Sequence, residues 1–279
     1  MNDLFSSAPS PVRGVRTGIG GWTFAPWRDN FYPKGLVQKR ELEYASRRLT
    51  AIEINGTFYG AQKPATYAKW ASETPEGFVF SLKAPRHIVG ARELGATAKQ
   101  IKGFVEGGIA EIGDRLGPLL WQLAPQRRFD ADDVEAFLTL LPDAVDGLPL
   151  RHAVEVRHPS FQCETWLRLA RARGVATVFT DSSDYPSFAD VTGGFVYARL
   201  MASRETSPTG YPGLQLDAWA RRALQWAKGD APADLPYAGA RDAAPAAPRD
   251  TFVFFISAAK ARNPAAAMAL QERLEAAAG

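Results

Sequence analysis

The sequence predicts an α/β fold, namely a (β/α)8 TIM barrel in which the sixth helix is reduced or missing. Eight short apolar runs typical of strands occur along the chain, and segments with helical spacing separate most of them. Eight strands joined mostly by helical crossovers in about 250 residues are typical of this barrel. An open doubly wound sheet is the alternative, but Trp22 and further aromatic residues follow the glycines at 18–21, where that fold would begin a helix.

The predicted strands and helices alternate along the chain. The strands are 17–21, 51–55, 78–83, 118–124, 151–157, 175–181, 195–200 and 251–257. The helices are 37–49, 64–73, 97–113, 130–142, 163–174, 216–228 and 263–278. Between 181 and 194 the chain has no room for a full helix, and this gap is the reason for the reduced sixth helix.

The barrel is predicted to form a single domain over residues 16–279. Residues 1–15 are rich in Ser and Pro and are expected to be a disordered N-terminal tail. Residues 229–250 are rich in Pro and Ala and have no apolar periodicity. They are therefore predicted to form a flexible insertion before the last strand.

Composition bounds the class of protein and its partners. The 279 residues carry a formal net charge of +3, which permits anionic ligands and is weak evidence for nucleic acid. Cys163 is the only cysteine, so no disulfide can form within the chain, and no apolar run is long enough to span a bilayer. The N-terminus lacks the pattern of a secretory signal. We therefore expect a soluble cytoplasmic protein without membrane contact, and the oligomeric state stays unknown.

Charged and polar side chains mark the carboxyl ends of the predicted strands, where the active site of a TIM barrel lies. In the second strand Glu53 and Asn55 share one face, and in the fifth strand Glu155 and Arg157 do the same. The β-branched residues between them occupy the opposite face. We therefore expect these charged residues, and by the same alternation Lys83 of the third strand, to face the barrel axis.

This alternation predicts a site at one mouth of the barrel. The predicted catalytic residues are Glu53, Glu155, Lys83 and Arg157, since a carboxylate pair can serve as acid and base. The predicted ligand-binding residues are Trp22, Asn55, Tyr59, Arg86, His87, Gln122, His158, Asp181 and Arg199. Arginine and lysine side chains here would hold a phosphate or carboxylate. A structural ion-pair network is the alternative for each charged residue.

No metal site is predicted, because the chain has no HExxH motif, no CxxC motif and only three histidines. The residue types still leave open a divalent cation on Glu53, Glu155 or Asp181. The cofactor is therefore unknown.

Several motifs together resemble the YecE-like family, domain of unknown function 72. They are GWTFAPWRDNFYP (21–33), EINGTFY (53–59), WASETPEGFVFSLKAPR (70–86), LGPLLWQLAP (116–125) and AVEVRHPSF (153–161). The resemblance implies a TIM barrel, broadly similar to those of sugar isomerases and apurinic-site endonucleases, and it supplies no reaction. It places family motif residues at Trp22, Glu53, Asn55, Phe58, Tyr59, Lys83, Gln122, Glu155, Arg157 and His158.

The chain departs from the family pattern in three places. Relatives typically carry Arg-x-His-Gly after the seventh strand, where this chain has Arg199, Leu200, Met201 and Ala202. A Thr-His pair is usual after the third strand, and Val89-Gly90 stands here. An Asn-Asn pair is common after the eighth strand, and Ser257-Ala258 stands here. Two missing histidines in one mouth imply an altered substrate or a lost activity.

Three functions follow from these observations. The first is an enzyme, such as a hydrolase or isomerase, that acts on a small anionic or sugar-like ligand with Glu53 and Glu155 as acid and base. The second is nucleic-acid binding or phosphodiester processing, suggested by a pI near 9.0 and the arginines of 204–222. The third is a non-catalytic ligand-binding barrel, suggested by the missing histidines. The sequence leaves open whether the chain is an enzyme.

Overall fold

A computed structural model describes residues 8–28 and 30–278, and within them the predicted barrel is confirmed. Its strands are β1 (Val15–Gly20), β2 (Ala51–Ile54), β3 (Val79–Lys83), β4 (Leu116–Gln122), β5 (His152–Glu155), β6 in two pieces (Ala176–Thr177 and Phe179–Thr180), β7 (Val196–Leu200) and β8 (Thr251–Phe255). All neighbouring pairs are parallel and follow the chain order, and β1 pairs with β8.

The two pieces of β6 close the ring. The first piece pairs with β5, where Ala176 lies opposite Ala153, and the second pairs with β7, where Phe179 lies opposite Ala198. Val178 between them still donates its N–H to the carbonyl of Val154 at 3.0 Å. Because both pieces belong to one continuous segment, the sheet is a closed eight-stranded barrel whose sixth strand is interrupted by one residue.

The helices surround this barrel. They are α1 (Glu41–Ala45), α2 (Gly56–Tyr59), α3 (Pro64–Ser72), α4 (Arg86–Val89), α5 (Ala98–Val105), α6 (Ala131–Leu140), α7 (Glu164–Ala172), α8 (Gly213–Lys228) and α9 (Asn263–Ala278). No helix lies between β6 and β7 in the described chain, which confirms the predicted loss of the sixth helix. A two-stranded hairpin, Ala144–Val145 with Leu148–Pro149, precedes β5.

Two helices are shorter than the sequence predicts. The segment 37–49 forms a 3-10 turn at Gln38–Arg40 and then only the five residues of α1. The segment 97–113 forms α5 and a separate 3-10 segment, Ile109–Arg115. Gly108 between them has a φ of 103°, which ends an α-helix and which L side chains rarely adopt.

The two segments predicted to be irregular are partly anchored. Of the predicted tail, residues 1–7 lie outside the described part, while Val12 pairs with Val15 around a tight turn. In 229–250 the N–H groups of Ala238 and Gly239 donate to the Asp190 carboxylate at 2.7 and 3.0 Å. The predicted disorder and flexibility of these segments stay predictions.

The alternation of side chains along the strands separates two apolar layers. Ile52, Ile54 and Val154 pack outward in the large core between barrel and helices. Ala51 and Ala153 instead belong to a smaller cluster inside the barrel, together with Val79, Leu120, Phe252 and Phe254. The inward face predicted for Glu53 and Glu155 is therefore the one on which the structure places them. Within the described helices, none is long and apolar enough to cross a membrane.

Candidate active site at the barrel mouth

A buried triad of charges crosses the interior of the barrel. Arg199 of β7 lies between Glu53 of β2 and Glu155 of β5, and all three side chains are at most 2% exposed. Its Nε donates to Glu53 Oε2 and its Nη2 donates to Glu53 Oε1, both at 2.9 Å. Its Nη1 donates to Glu155 Oε2. One guanidinium thus pairs with two carboxylates that come from distant parts of the chain, and Arg157, which also pairs with Glu155, supplies the second positive charge.

Glu53 has further partners deeper in the barrel. The Tyr197 hydroxyl donates to Glu53 Oε2 at 2.8 Å, and the Ser81 hydroxyl lies 2.8 Å from the same Tyr197 oxygen. Ser81 also lies 2.8 Å from the carbonyl of Pro118. Both oxygens of the Glu53 carboxylate are therefore hydrogen-bonded although the side chain is fully buried, which removes most of the cost of burying its charge.

Glu155 is held from the side of the mouth. Gln122 Nε2 donates to Glu155 Oε2 at 3.0 Å, and Arg157 Nε donates to Glu155 Oε1 at 2.5 Å. The Arg157 guanidinium also stacks on the ring of Tyr185, 4.1 Å from its centroid. Arg157 is thereby held through its Nε and through one face of its guanidinium, and it lines the cavity.

The pKa values of the triad follow from burial and pairing. Burial alone would raise the pKa of Glu155, but Arg199 and Arg157 outweigh it and hold this pKa below its usual value. Burial alone would lower the pKa of Arg199, but Glu155 and Glu53 raise it. Burial, and next the charge of Glu53, raise the pKa of Tyr197 well above 10. Arg199 and Glu155 are therefore charged, and Tyr197 neutral, around neutral pH.

Above the triad lies a cavity of about 590 Å³ at the carboxyl ends of the strands. Among the described residues that line it, every charged one is a cation: Lys83, Arg157, Arg199 and Lys260. The neutral polar lining residues include Asn55, Gln62, Gln122, Ser257 and Asn263, and the aromatic ones are Trp22, Tyr59, Trp70 and Phe255. Arg199 and Arg157 balance Glu53 and Glu155 in the floor of this pocket, so the net positive charge of the mouth comes from Lys83 and Lys260.

Lys83 is the last residue of β3 and lines this cavity. Its side chain is 8% exposed, and its Nζ lies 4.1 Å from the centroid of the Phe58 ring. The Thr57 hydroxyl donates to the Lys83 carbonyl at 2.7 Å and fixes the backbone there. Burial and then the charge of Arg199 lower the pKa of Lys83 to about 8, against the opposing effect of the buried carboxylates.

Lys260 and two aromatic residues of the lining, Trp70 and Phe255, are absent from the set that the sequence predicts. Lys260 Nζ lies 4.4 Å from the ring centroid of Phe24, and its carbonyl accepts a hydrogen bond from Trp27 Nε1 at 2.9 Å. Trp70 packs edge-on against Trp22, with 5.3 Å between the ring centroids. The only sequence signal for Lys260 is its position three residues after Ser257. Trp70 begins the family motif 70–86, but its position over the mouth is set by α3 and is visible only in the folded chain.

Four predicted ligand-binding residues do not line the cavity. Arg86 and His87 are exposed on α4, a single helical turn after β3. The Nδ1 atom of His158 accepts a hydrogen bond from the Ser160 N–H at 3.1 Å and so caps the turn after β5. Their prediction as ligand-binding residues depends on closeness in sequence to the strand ends, which does not fix the direction of a side chain.

Asp181 is the fourth of these residues. It accepts hydrogen bonds from the Met201 N–H and from the Tyr211 hydroxyl, the latter at 2.8 Å. It therefore connects the end of β6 to the loop after β7, and burial raises its pKa. By contrast Trp22, Asn55, Tyr59, Gln122 and Arg199 do line the cavity, as do Lys83 and Arg157.

The carboxylates are not arranged as a metal site. The described residues contain no cluster of three or more His, Cys, Asp or Glu side chains that could hold a metal ion. Arg199 occupies the space between Glu53 and Glu155, so a cation shared by these two carboxylates would have to displace a guanidinium. Asp181 is engaged by other groups.

A closed parallel barrel with a cationic pocket at the carboxyl ends of its strands defines a protein of the TIM-barrel class. The particular family follows from comparison with known proteins. The model of the family described as "Protein of unknown function DUF72" matches residues 16–279, and the chain belongs to this family. The resemblance to YecE-like proteins is thereby confirmed, since both names denote the same family.

Known relatives agree with this assignment. The UPF0759 protein YunF of Bacillus subtilis (strain 168) is 32% identical over 76 residues, which are 27% of this chain and 26% of that relative. The match thus spans about a quarter of the relative's length.

Solved structures share the fold. A DUF72 family protein from Thermotoga maritima has a TM-score of 0.71 at 20% identity, covering 94% of this chain and 99% of that one. One from Enterococcus faecalis has a TM-score of 0.67 at 16% identity, with 94% and 95% coverage. SacUVDE has a TM-score of 0.55 at 10% identity, with 94% and 99% coverage. At these identities the likeness concerns the fold alone.

Proposed function

We propose that this chain is an enzyme that binds a small anionic ligand, a phosphate or carboxylate of sugar-like size, in the mouth of the barrel. The observation that carries the proposal is the positive sign of the charged side chains that line the cavity. Lys83, Arg157 and Lys260 surround the cavity, and no acid lines it among the described residues. Its volume of about 590 Å³ lies in the range of small-molecule sites, roughly 300–1,000 Å³.

The lining residues divide into three kinds of contact. Arg157, fixed by Glu155 and Tyr185, offers a planar fork of donors to a phosphate or carboxylate group. Asn55 and Gln122 can orient hydroxyl groups, and the half-buried Trp22 offers a flat apolar surface to a sugar ring. Such a combination of apolar walls and a few placed polar groups is what small-ligand sites require.

The buried carboxylates support this site from below. The sequence assigns Glu53 and Glu155 the roles of acid and base, and these roles stay a prediction. The geometry favours a positioning role, because neither carboxylate lines the cavity and their oxygens already accept hydrogen bonds from Arg199, Tyr197, Gln122 and Arg157. Lys83, which faces the cavity and whose pKa is about 8, is the reactive group of the proposed enzyme.

Calorimetry with matched ligands tests the proposal. Ribose 5-phosphate and ribose differ in the anionic group only, and we expect the phosphate to bind at least about tenfold more tightly. Arg157→Gln should weaken binding of the phosphate by about 10–100-fold, the range for a hydrogen bond to a charged group. Lys69→Met, on the exposed face of α3, is the control and should change nothing. Equal binding of both sugars, or an unaffected R157Q variant, would refute the proposal.

Nucleic-acid binding is the second candidate. The observation that favours it is Tyr59, which is 75% exposed at the edge of the cationic cavity and could stack on a base. A short single-stranded oligonucleotide provides the test. If several phosphates are bound, the logarithm of its affinity should fall linearly with the logarithm of salt concentration, and Tyr59→Ala should weaken it. Absence of a salt dependence would eliminate this candidate.

A further inference from the structure

Lys83 is a buried primary amine that faces the cavity without an acidic partner. Its side chain is 8% exposed and lies in the lining. Within the part of the chain that the structure describes, no carboxylate oxygen lies within 4.0 Å of its Nζ, and Glu53 and Glu155 are bound by Arg199 instead. The amine lies over the ring of Phe58, 4.1 Å from its centroid. A buried lysine is ordinarily paired, so this arrangement requires an explanation.

The surroundings of Lys83 raise the fraction of its amine that is neutral near pH 7. Burial removes water from the ammonium group, and the positive charges of Arg199 and Arg157 repel it. Glu53 and Glu155 act in the opposite direction, but Arg199 neutralises much of their effect. A desolvated lysine beside other cations is the arrangement in which a lysine amine becomes a nucleophile toward carbonyl carbon near neutral pH.

The other lysine of the cavity lacks this combination. Lys260 is half-buried and lies against the rings of Phe24 and Trp27, at 4.4 and 5.5 Å from their centroids. Both amines lie over an aromatic ring, so the attraction of a cation to a ring face does not distinguish them. Burial lowers the pKa of Lys260 too, but Lys260 is less buried than Lys83, and no neighbouring cation among the described residues adds to the effect as Arg199 and Arg157 do at Lys83. Lys83 is therefore the better placed of the two to react, and Lys260 to hold a negative charge.

We propose that Lys83 forms a reversible imine with an anionic aldehyde or ketone bound in the cavity. This inference rests on the proposed function, since it uses the same cavity and the same anionic class of ligand. The neutral Nζ attacks the carbonyl carbon and gives a carbinolamine. The carbon–oxygen bond then breaks, the oxygen takes up the proton that the ammonium had released and leaves as water, and the nitrogen keeps one proton. Ammonium and carbonyl compound thus give protonated imine and water, with no oxidant, reductant or co-reactant.

Reductive trapping of the wild-type protein tests the proposal. The probe is glycolaldehyde phosphate with cyanoborohydride at pH 7, and peptide mapping by mass spectrometry locates the reduced adduct. Exposed Lys69 and Lys102 serve as internal references in the same digest. We expect Lys83 to be modified at least about tenfold faster than either reference, because a larger fraction of its amine is neutral at this pH. Lys83→Arg keeps the charge and should remove this adduct only.

Two further experiments distinguish a failure of this inference from a failure of the proposed function. Glycolaldehyde lacks the anion and should modify Lys83 more slowly, and inorganic phosphate should protect Lys83 but neither reference lysine. If Lys83 reacts no faster than Lys69 and Lys102, the imine is refuted, while anion binding measured by calorimetry would still stand. If Lys83 reacts quickly with both aldehydes and phosphate gives no protection, the anionic class of ligand is refuted. The peptide map needs no variant, so a folding defect in K83R would not obscure either result.

Discussion

Arg199 and Glu53 form a two-point ion pair inside the barrel, with two parallel hydrogen bonds of 2.9 Å between guanidinium and carboxylate. The same guanidinium binds Glu155, so β7 is connected through one side chain to both β2 and β5. A buried ion pair of this kind contributes little net stability against an apolar alternative, yet removal of one partner leaves an uncompensated buried charge. The triad therefore connects β2, β5 and β7 in the floor of the site.

Replacing Arg199 by methionine should destabilise the fold strongly. The change leaves Glu53 and Glu155 buried without their shared cation, and we expect the free energy of unfolding to fall by about 3–5 kcal/mol. Urea denaturation measures this difference. Lys69→Met removes the cation of an exposed pair with Glu73 and should cost at most about 0.5 kcal/mol. Similar losses in the two variants would show that the triad does not hold the floor of the site together.

Much of this floor can be predicted from alternation along single strands. Glu53 and Glu155 lie between β-branched residues, and the period of two along a strand is enough to direct both carboxylates into the barrel. The inward direction of Lys83 follows by the same rule. The eight strands and the missing sixth helix are likewise predictable, because apolar runs and the short 181–194 interval are local features of the sequence.

The partners of these residues cannot be predicted in the same way. The sequence predicts that Arg199 holds a ligand, which stays a prediction, and it gives no sign that Arg199 pairs with Glu53, 146 positions away in the chain. That contact depends on closure of the barrel and on the lengths of the side chains that cross its interior. The same limit explains why Trp70 and Lys260 are absent from the predicted site, since helices and turns bring them to the mouth from outside the strands.

Tyr197→Phe tests the deeper part of the network. The change removes the hydroxyl that donates to Glu53 Oε2 at 2.8 Å and leaves the two bonds from Arg199 in place. We expect a loss of about 1–3 kcal/mol in the free energy of unfolding, the value for a hydrogen bond to a buried charged group. Tyr59→Phe is the control, since its ring is largely exposed, and should stay within about 0.5 kcal/mol. An unchanged Y197F variant would mean that water or Ser81 replaces the bond.

The lowered pKa of Lys83 predicts a stability that rises with pH. The folded pKa is about 8 and the ordinary value is 10.5, so between these values the unfolded chain binds more protons than the folded one. Below pH 8 the buried ammonium therefore destabilises the folded state by its full amount. Between pH 8 and pH 10.5 this destabilisation is lost, and the free energy of unfolding rises. Lys83→Met should flatten this rise and stabilise the protein at pH 7 by about 1–3 kcal/mol. Lys102→Met, at an exposed position, should alter neither quantity.

The turn after β8 holds two residues in a conformation that favours glycine or asparagine. Ser257 and Ala258 have φ angles of 57° and 45°, and the Asn263 side chain fixes the turn by donating to the Ser257 carbonyl at 3.1 Å. A left-handed conformation costs an L residue roughly 1–2 kcal/mol, and this cost is absent for glycine. Ala258→Gly should therefore raise the free energy of unfolding by about 0.5–1 kcal/mol, and Ala258→Asn should raise it by less.

Ala259, with a φ of −73°, is the matched control, and Ala259→Gly should lower the free energy of unfolding by about 0.5–1 kcal/mol. Thermal and urea unfolding measure both changes, and equal losses in the two glycine variants would show that the backbone of residue 258 is not strained.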